Sequence, residues 1–403
     1  MKSKTLIAFL YFLIAATFGL LMRISIVEDL GFNYKHFLHT HSHIALLGWL
    51  YNLALIFIGY YFFKNEVQKF NRIFWVSQIT FLGMLFSFPF KGYAFWSITF
   101  STLYLFASYW LIIQIFRSSK NLRSKVEYKL LRAGGVFLML SSLGPFALGA
   151  IMAKSLHESI WYSLSIYWFL HFLFNGFFYT VFLALLLAEI KKKTPISFSK
   201  LKWVYRLTVF SIIPLYAEFA IEAIPLNWIL LLSILSSIAQ FVSIAMLFDE
   251  FKLILDNITS PIKKTLLGLA LLALVLKIIF QLLTSFPFLH ELVFSSRSTL
   301  IIGYLHMVML GMFSLFFLWL LVETKVVALT AFFKMGVIIF IAGVLVSELI
   351  LFAQGTANYF WNYSLPNYYI LLYAVSGLMP LGILGMVIGQ FSTTKELDSL
   401  SRQ

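Results

Sequence analysis

The chain has 403 residues, of which 61% are hydrophobic and only 11% charged, whereas a soluble domain is about one quarter charged. The net charge of +14 is spread through short loops between apolar runs. There is therefore no basic domain to bind nucleic acid, and the pattern is the topological signal of membrane insertion. The absence of cysteine excludes disulfides, iron–sulfur clusters and thiolate metal sites.

A membrane span needs about 20 apolar residues. The sequence predicts an all-α bundle of about twelve such helices, forming a single transmembrane domain over residues 1–403. In chain order they cover 5–25, 40–63, 73–93, 95–116, 130–153 and 159–189, then 201–223, 226–249, 264–285, 298–322, 328–352 and 368–391. The first run carries no small-residue cleavage site and reads as a spanning helix rather than a removed signal peptide. One set of alternate loops holds KNEVQKFNR, RSSKNLRSKVEYK, KKKTPISFSK and SPIKK. The other set holds little basic charge beyond Lys35, Lys91, Lys154 and Arg297. The positive-inside rule places the first set, and both termini, in the cytoplasm. The expected setting is the bacterial inner membrane, with the lipid bilayer as the main partner.

This orientation puts the segment LHTHSHIALLGW, residues 38–49, at the outer end of the second helix. With His36 it holds four of the chain's eight histidines. His43 opens the pattern HIALLG, ending at Gly48; His171 opens HFLFNG, ending at Gly176; His306 opens HMVMLG, ending at Gly311. All three are H-x4-G, in the second, sixth and tenth helices, each predicted to run from outside to inside. A period of four helices implies three pseudo-repeats of four. The glycine lies about 7.5 Å further along its helix than the histidine, where a missing side chain admits a neighbouring helix or a flat macrocycle.

An ionisable side chain within the bilayer is costly and faces a partner. His43 and His306 lie in the outer halves of their helices and form the expected pair of axial ligands to one heme; His171 lies deeper. At the mouth, His36, His39 and His43 share one helical face if the helix starts early, with His41 pointing elsewhere, and so form a candidate surface metal or proton-collecting site. Other polar groups at similar depth are Glu218 with Glu222, Lys277 with Gln281, Glu348 and Arg23. Arg297 and Arg23 are suited to heme propionates.

These residues resemble the heme-copper oxidase superfamily. LHTHSHIALLG is similar to the LHT-x3-I-x3-G run of C-type oxidases and nitric oxide reductases, a register that makes His39 the low-spin heme ligand where the repeat favours His43. HFLFNGFFYT is similar to the family's copper-ligand segment, one residue out of step. YLHMV is similar to its H-x-H pair, His306 matching the low-spin ligand and Tyr304 standing where the high-spin ligand would be. The resemblance implies twelve helices in three arcs, a low-spin heme b between the second and tenth helices, and electron transfer or oxygen and nitric oxide handling with respiratory subunits or another electron donor. The departures are large. WVYRLTVFSIIPLYAEFAIEAI has no histidine pair, leaving His171 as one copper ligand of three, and GTANYFWNYSLPNYY has no propionate-binding arginine pair. Heme is therefore implied, and neither copper nor oxygen reduction is. The chain is also similar to the NnrS family, whose H-x-H-x4-G segment matches His41, His43 and Gly48. Two alternatives stand beside a heme protein: a transporter or metal-handling protein using the outer histidines, and a non-catalytic accessory of a respiratory complex.

Overall fold

The structure, a computed structural model, describes residues 1–117, 120–220, 227–286, 288–289 and 299–400. Every regular element among them is helical. Among the described residues eleven helices are long and apolar enough to cross a membrane, and the protein is a helical integral membrane protein. They are α1 (Lys2–Ile24), α2 (Tyr34–Phe62), α3 (Lys64–Lys91), α4 (Phe95–Phe116), α5 (Val126–Ala153), α6 (Ile160–Lys193), α8 (Asn227–Asp256), α9 (Pro261–Thr284), α10 (Thr299–Glu323), α11 (Ala331–Trp361) and α12 (Tyr368–Gln390). The twelfth expected span is α7 (Phe198–Leu215). It falls short of the eleven because Lys200, Lys202 and Arg206 occupy its first half. Pro214 removes a backbone donor near its end, and the chain breaks at Tyr216 before a short helix, Ala217–Ala220. The expected span 201–223 is therefore two pieces, and its last residues, Glu222 included, lie outside the described residues.

Local chemistry sets the other boundaries. α2 starts six residues earlier than expected because the Asn33 side chain caps it, accepting from the backbone of Lys35 at 3.0 Å and His36 at 3.3 Å. The crowded histidines therefore lie on a helix, not in a loop. α11 outruns its expected end at 352, since Gln354, Gly355 and Ala357 still bury a face, and it stops where Asn362 turns left-handed at φ 46°.

Three helices form the centre. In α2, α6 and α10 the most apolar stretch is 78%, 89% and 78% buried, against 28–50% in the other eight spans. They touch pairwise. Trp49 donates to the Ser314 hydroxyl at 2.8 Å, and Phe57 stacks on Phe317. Tyr51 meets Phe177 at 6.0 Å between ring centroids, and Phe182 meets Phe316 at 4.3 Å. Lipid tails are as apolar as these side chains, so close packing and interhelical hydrogen bonds, rather than water exclusion, hold such helices together.

Each central helix leaves the α-helical path at the same place. π-helical turns run Ile44–Tyr51, Phe172–Phe178 and Met307–Ser314. Each begins at the residue after the histidine of an H-x4-G motif. π turns are rare and cluster at functional sites. The backbone carbonyls they displace are satisfied by side chains: Asn52 donates to Gly48 O at 2.8 Å, Thr180 to Gly176 O at 2.7 Å and Ser314 to Met309 O at 2.8 Å.

The glycines face the helix immediately before their own. A Cβ on Gly48 would sit 2.7 Å from Tyr11 Cβ in α1, one on Gly176 2.5 Å from Phe137 Cβ in α5, and one on Gly311 3.4 Å from Ala273 Cβ in α9. At the opposite end of the bundle from the histidines of α2, the KKK run of α6 is tied down. Lys191 pairs with Glu127 at 3.0 Å, Lys193 with Glu323 at 3.0 Å, and Lys192 with Glu189.

Candidate functional site

α2 carries His36, His39, His41 and His43 at its start, and their rings point in two directions. His36 packs against Gly92, His39 meets Tyr93 at 4.6 Å, and His43 stacks on Phe88 at 4.5 Å. These three face α3 and the turn after it, as their helical spacing predicted. Burial pushes the Tyr93 phenol up to about 12, so this face meets a neutral hydroxyl. His43 Nδ1 donates to His39 O at 2.8 Å. Among the described residues no three His, Asp or Glu side chains gather closely enough to hold a metal ion.

His41 points the other way, into the bundle. Its Nδ1 lies 2.8 Å from Ala15 O of α1. A carbonyl only accepts, so Nδ1 carries the proton and Nε2 keeps its lone pair. Gly19 makes room for the ring: a Cβ there would lie 2.9 Å from His41 Cε1. The ring next to it is that of His306 in α10, with centroids 6.4 Å apart and planes at 83°. His306 Nδ1 is buried without a hydrogen-bond partner among the described residues. The structure thus brings His306 together with His41, not with His43 or His39, whose rings are on the far side of α2. The reason is rotational. Two residues turn a helix by roughly 200°, so His41 and His43 cannot share a face.

Arg23 reaches this corner from α1. It donates to the Ser376 hydroxyl of α12, and it lies in electrostatic range of His41, His306 and Glu348. Glu348 of α11 is 8% exposed, its two carboxylate oxygens have no partner among the described residues, and one lies beside Gly303 of α10. Arg297, the other expected propionate partner, lies outside the described residues.

His171 differs from the other two motif histidines. It is 1% exposed. Nε2 donates to Ile212 O at 2.8 Å, in the last turn of α7, where the Tyr216 amide bonds Ile213 O instead. Asn175 Nδ2 donates to Nδ1 at 3.3 Å. Both ring nitrogens are engaged, leaving no lone pair for a metal. Tyr304 stands two residues before His306, on the opposite side of α10, in electrostatic range of Glu218. It does not face the His41–His306 pair. Gly48 and Gly311 admit helices α1 and α9 rather than lining that pair.

The H-x4-G repeat points to His43, and His41 stands out in the sequence only through its resemblance to the H-x-H-x4-G segment of the NnrS family. The missed signal was on α1, where Ala15 and Gly19, one turn apart, form a small-residue stripe matched to one imidazole. A surface cavity of about 510 Å³ lies along α3 and α4 between Ile79 and Phe100, has no histidine in its lining and is almost wholly apolar. Neither a model of a known protein family nor any curated protein matches the chain.

Proposed function

We propose that the chain is a heme-binding membrane protein in which His41 and His306 would hold one heme b, at the outer ends of the central helices α2 and α10. The observation that carries this reading is the 6.4 Å separation of the two rings. Two metal–nitrogen bonds of roughly 2 Å, plus the distance from each nitrogen to its ring centre, span about that length. The donor set fits the group: the His41 tautomer is fixed by Ala15 O with Nε2 left free, the way a ligating histidine is held by a second interaction. Arg23 is a cation at the same corner, suited to a propionate. A heme iron with two imidazole ligands is saturated, so it carries electrons rather than binding oxygen.

The short motifs similar to heme-copper oxidases support the same helix pair, with His41 in place of His43 or His39. The fully bonded His171 gives no support to a copper site. Respiratory electron transfer, or nitric oxide or oxygen handling, is the role this reading favours. The lysine-rich loops support an inner-membrane protein with the histidine end outermost.

The test is the reduced-minus-oxidised spectrum and pyridine hemochrome of the purified protein. His41→Ala and His306→Ala are each expected to lose the heme signal while still inserting, and His43→Ala to keep it. A wild-type protein without a Soret band sinks the reading. A His43→Ala variant that loses heme while His41→Ala retains it reassigns the ligand.

A further inference from the structure

The basic residues at the lysine-rich end of the bundle are of two kinds. One kind is paired: Lys191 with Glu127 at 3.0 Å, Lys200 with Glu250 at 2.8 Å, and Lys193 and Lys263 with one carboxylate, Glu323, at 3.0 and 3.1 Å. The other kind gathers at the start of α5. Lys125 immediately precedes this helix, Lys129 lies in its first turn and Arg132 a turn further. With Arg123 just before them, none of the four has a carboxylate partner among the described residues. Glu127, the acidic residue of the first turn, is turned to Lys191 instead.

The cations lead into an apolar face. Lys125, Lys129, Arg132, Val136, Met139 and Leu143 recur at the spacing of one helical stripe, and the last three are 38%, 48% and 51% exposed, so the stripe faces lipid. Arg132 lies 4.6 Å from the centre of the ring of Phe116, the last residue of α4. Arg123 donates to the backbone oxygen of the same Phe116 at 3.0 Å, so two guanidiniums converge on the end of α4. Lys129 lies 6.0 Å from the ring centre of Phe198, the first residue of α7. The cluster thus sits where two neighbouring helices end and the apolar face begins. Arg132 Nε is buried without a hydrogen-bond partner among the described residues.

Two simpler roles do not account for this. Directing insertion takes charge in the loop, which Arg117 and Lys125 supply; it does not place a guanidinium seven residues, about 10 Å, beyond Lys125 along the helix. Nor do the cations stabilise α5, because positive charge at the start of a helix opposes its dipole. An anion answers both the converging charges and the unpartnered nitrogen, and a guanidinium fork matches phosphate oxygens.

We propose that Arg123, Lys125, Lys129 and Arg132 form a seat for one anionic phospholipid on the outward face of α5. Lys129 and Arg132 hold the phosphodiester, with Arg123 and Lys125 on its polar side, and an acyl chain lies along Val136, Met139 and Leu143. The start of α5 adds the positive end of its dipole. A lipid fits better than a free phosphate because the cations run without a break into the apolar stripe, and a ligand with both a phosphate and a chain matches all of it. Basic pockets among membrane helices recognise headgroups in this way. The inference is independent of heme binding.

The experiment is native mass spectrometry of the full-length protein, with phosphatidylglycerol and phosphatidylcholine of the same acyl chains in competition and inorganic phosphate as a third probe. One phosphatidylglycerol per chain should be retained, preferred by about tenfold or more. Lys129→Gln should weaken that preference about fivefold, and Lys129→Gln with Arg132→Gln about twentyfold. Lys252→Gln with Lys334→Gln, which removes the same charge from α8 and α11, should leave it unchanged. Equal retention of the two lipids, an equal loss in the Lys252 and Lys334 pair, or displacement of the lipid by inorganic phosphate overturns the proposal. If the variant lacking both Lys129 and Arg132 does not insert, the competition on the wild-type protein and on Lys129→Gln decides it.

Discussion

A histidine's neighbours decide what its ring nitrogens remain free to do, and the three histidines of the repeat have three different answers. His43 spends one nitrogen on its own helix, His171 spends both on Ile212 and Asn175, and His306 leaves Nδ1 unspent. His171 is thus a fastener between α6 and α7. His171→Ala should leave the Ile212 carbonyl and the Asn175 amide unsatisfied in a buried interface. The expected cost is about 1–3 kcal/mol, read as a lower midpoint in a thermal or detergent unfolding assay, with the heme spectrum of the folded fraction unchanged. The sequence marked the three positions as equivalent because it shows spacing along a helix. What each ring meets depends on residues far along the chain, His41 for His306 and Ile212 for His171, and no local pattern encodes that.

At the scale of the element, the repeat proves to be a backbone feature. Histidine, π turn and glycine form one unit, used in α2, α6 and α10, and the glycine is where that unit meets the preceding helix. The contacts differ in tightness. A Cβ at position 48 or 176 would press on the Cβ of an aromatic residue, an atom fixed to its own backbone, whereas at position 311 it would reach an ordinary contact distance from Ala273. Gly48→Ala and Gly176→Ala are therefore expected to destabilise the protein by about 1–3 kcal/mol through overpacking, and Gly311→Ala to be close to neutral. Comparison of the three unfolding midpoints checks the order. Helix positions were legible in the sequence because each span is a long apolar run bounded by charge. The π turns were not: their residues are ordinary apolar ones, and the extra residue per turn changes no composition. Only the recurrence of H-x4-G pointed to them. The break in α7 was visible as Pro214, but the run of apolar residues after it read as more span.

At the scale of the molecule, three helices are enclosed and the rest surround them. This explains why the motif histidines fall on helices four apart: a helix in the centre can present a polar group to protein on every side. The direction of insertion expected from loop charge can be tested in this cysteine-free chain. A single cysteine at Glu28→Cys, in the loop between α1 and α2, should react with a membrane-impermeant maleimide added to intact cells. One at Asn257→Cys, between α8 and α9, should react only after permeabilisation. The opposite labelling would invert the topology and put the histidines on the cytoplasmic face. Charge asymmetry between loops carried this expectation, since the cost of moving lysines across a bilayer acts on loops one by one.

The π turn in α2 also sets the angular phase between two halves of one rod. Before it the helix aims His41 at α10; its last residues and the helix beyond seat Trp49, Tyr51 and Phe57 among their aromatic partners. A turn wound one residue too wide acts as an offset between these two settings. Adding one residue to it, as in an insertion after Ala45, would exceed what the wide turn absorbs and rotate one half against the other by about 100°. The aromatic half is the more deeply gripped, so the histidine half would swing. Such an insertion should leave a protein that inserts and keeps its helix content by circular dichroism, but with His41 turned off its bearing and the heme signal gone.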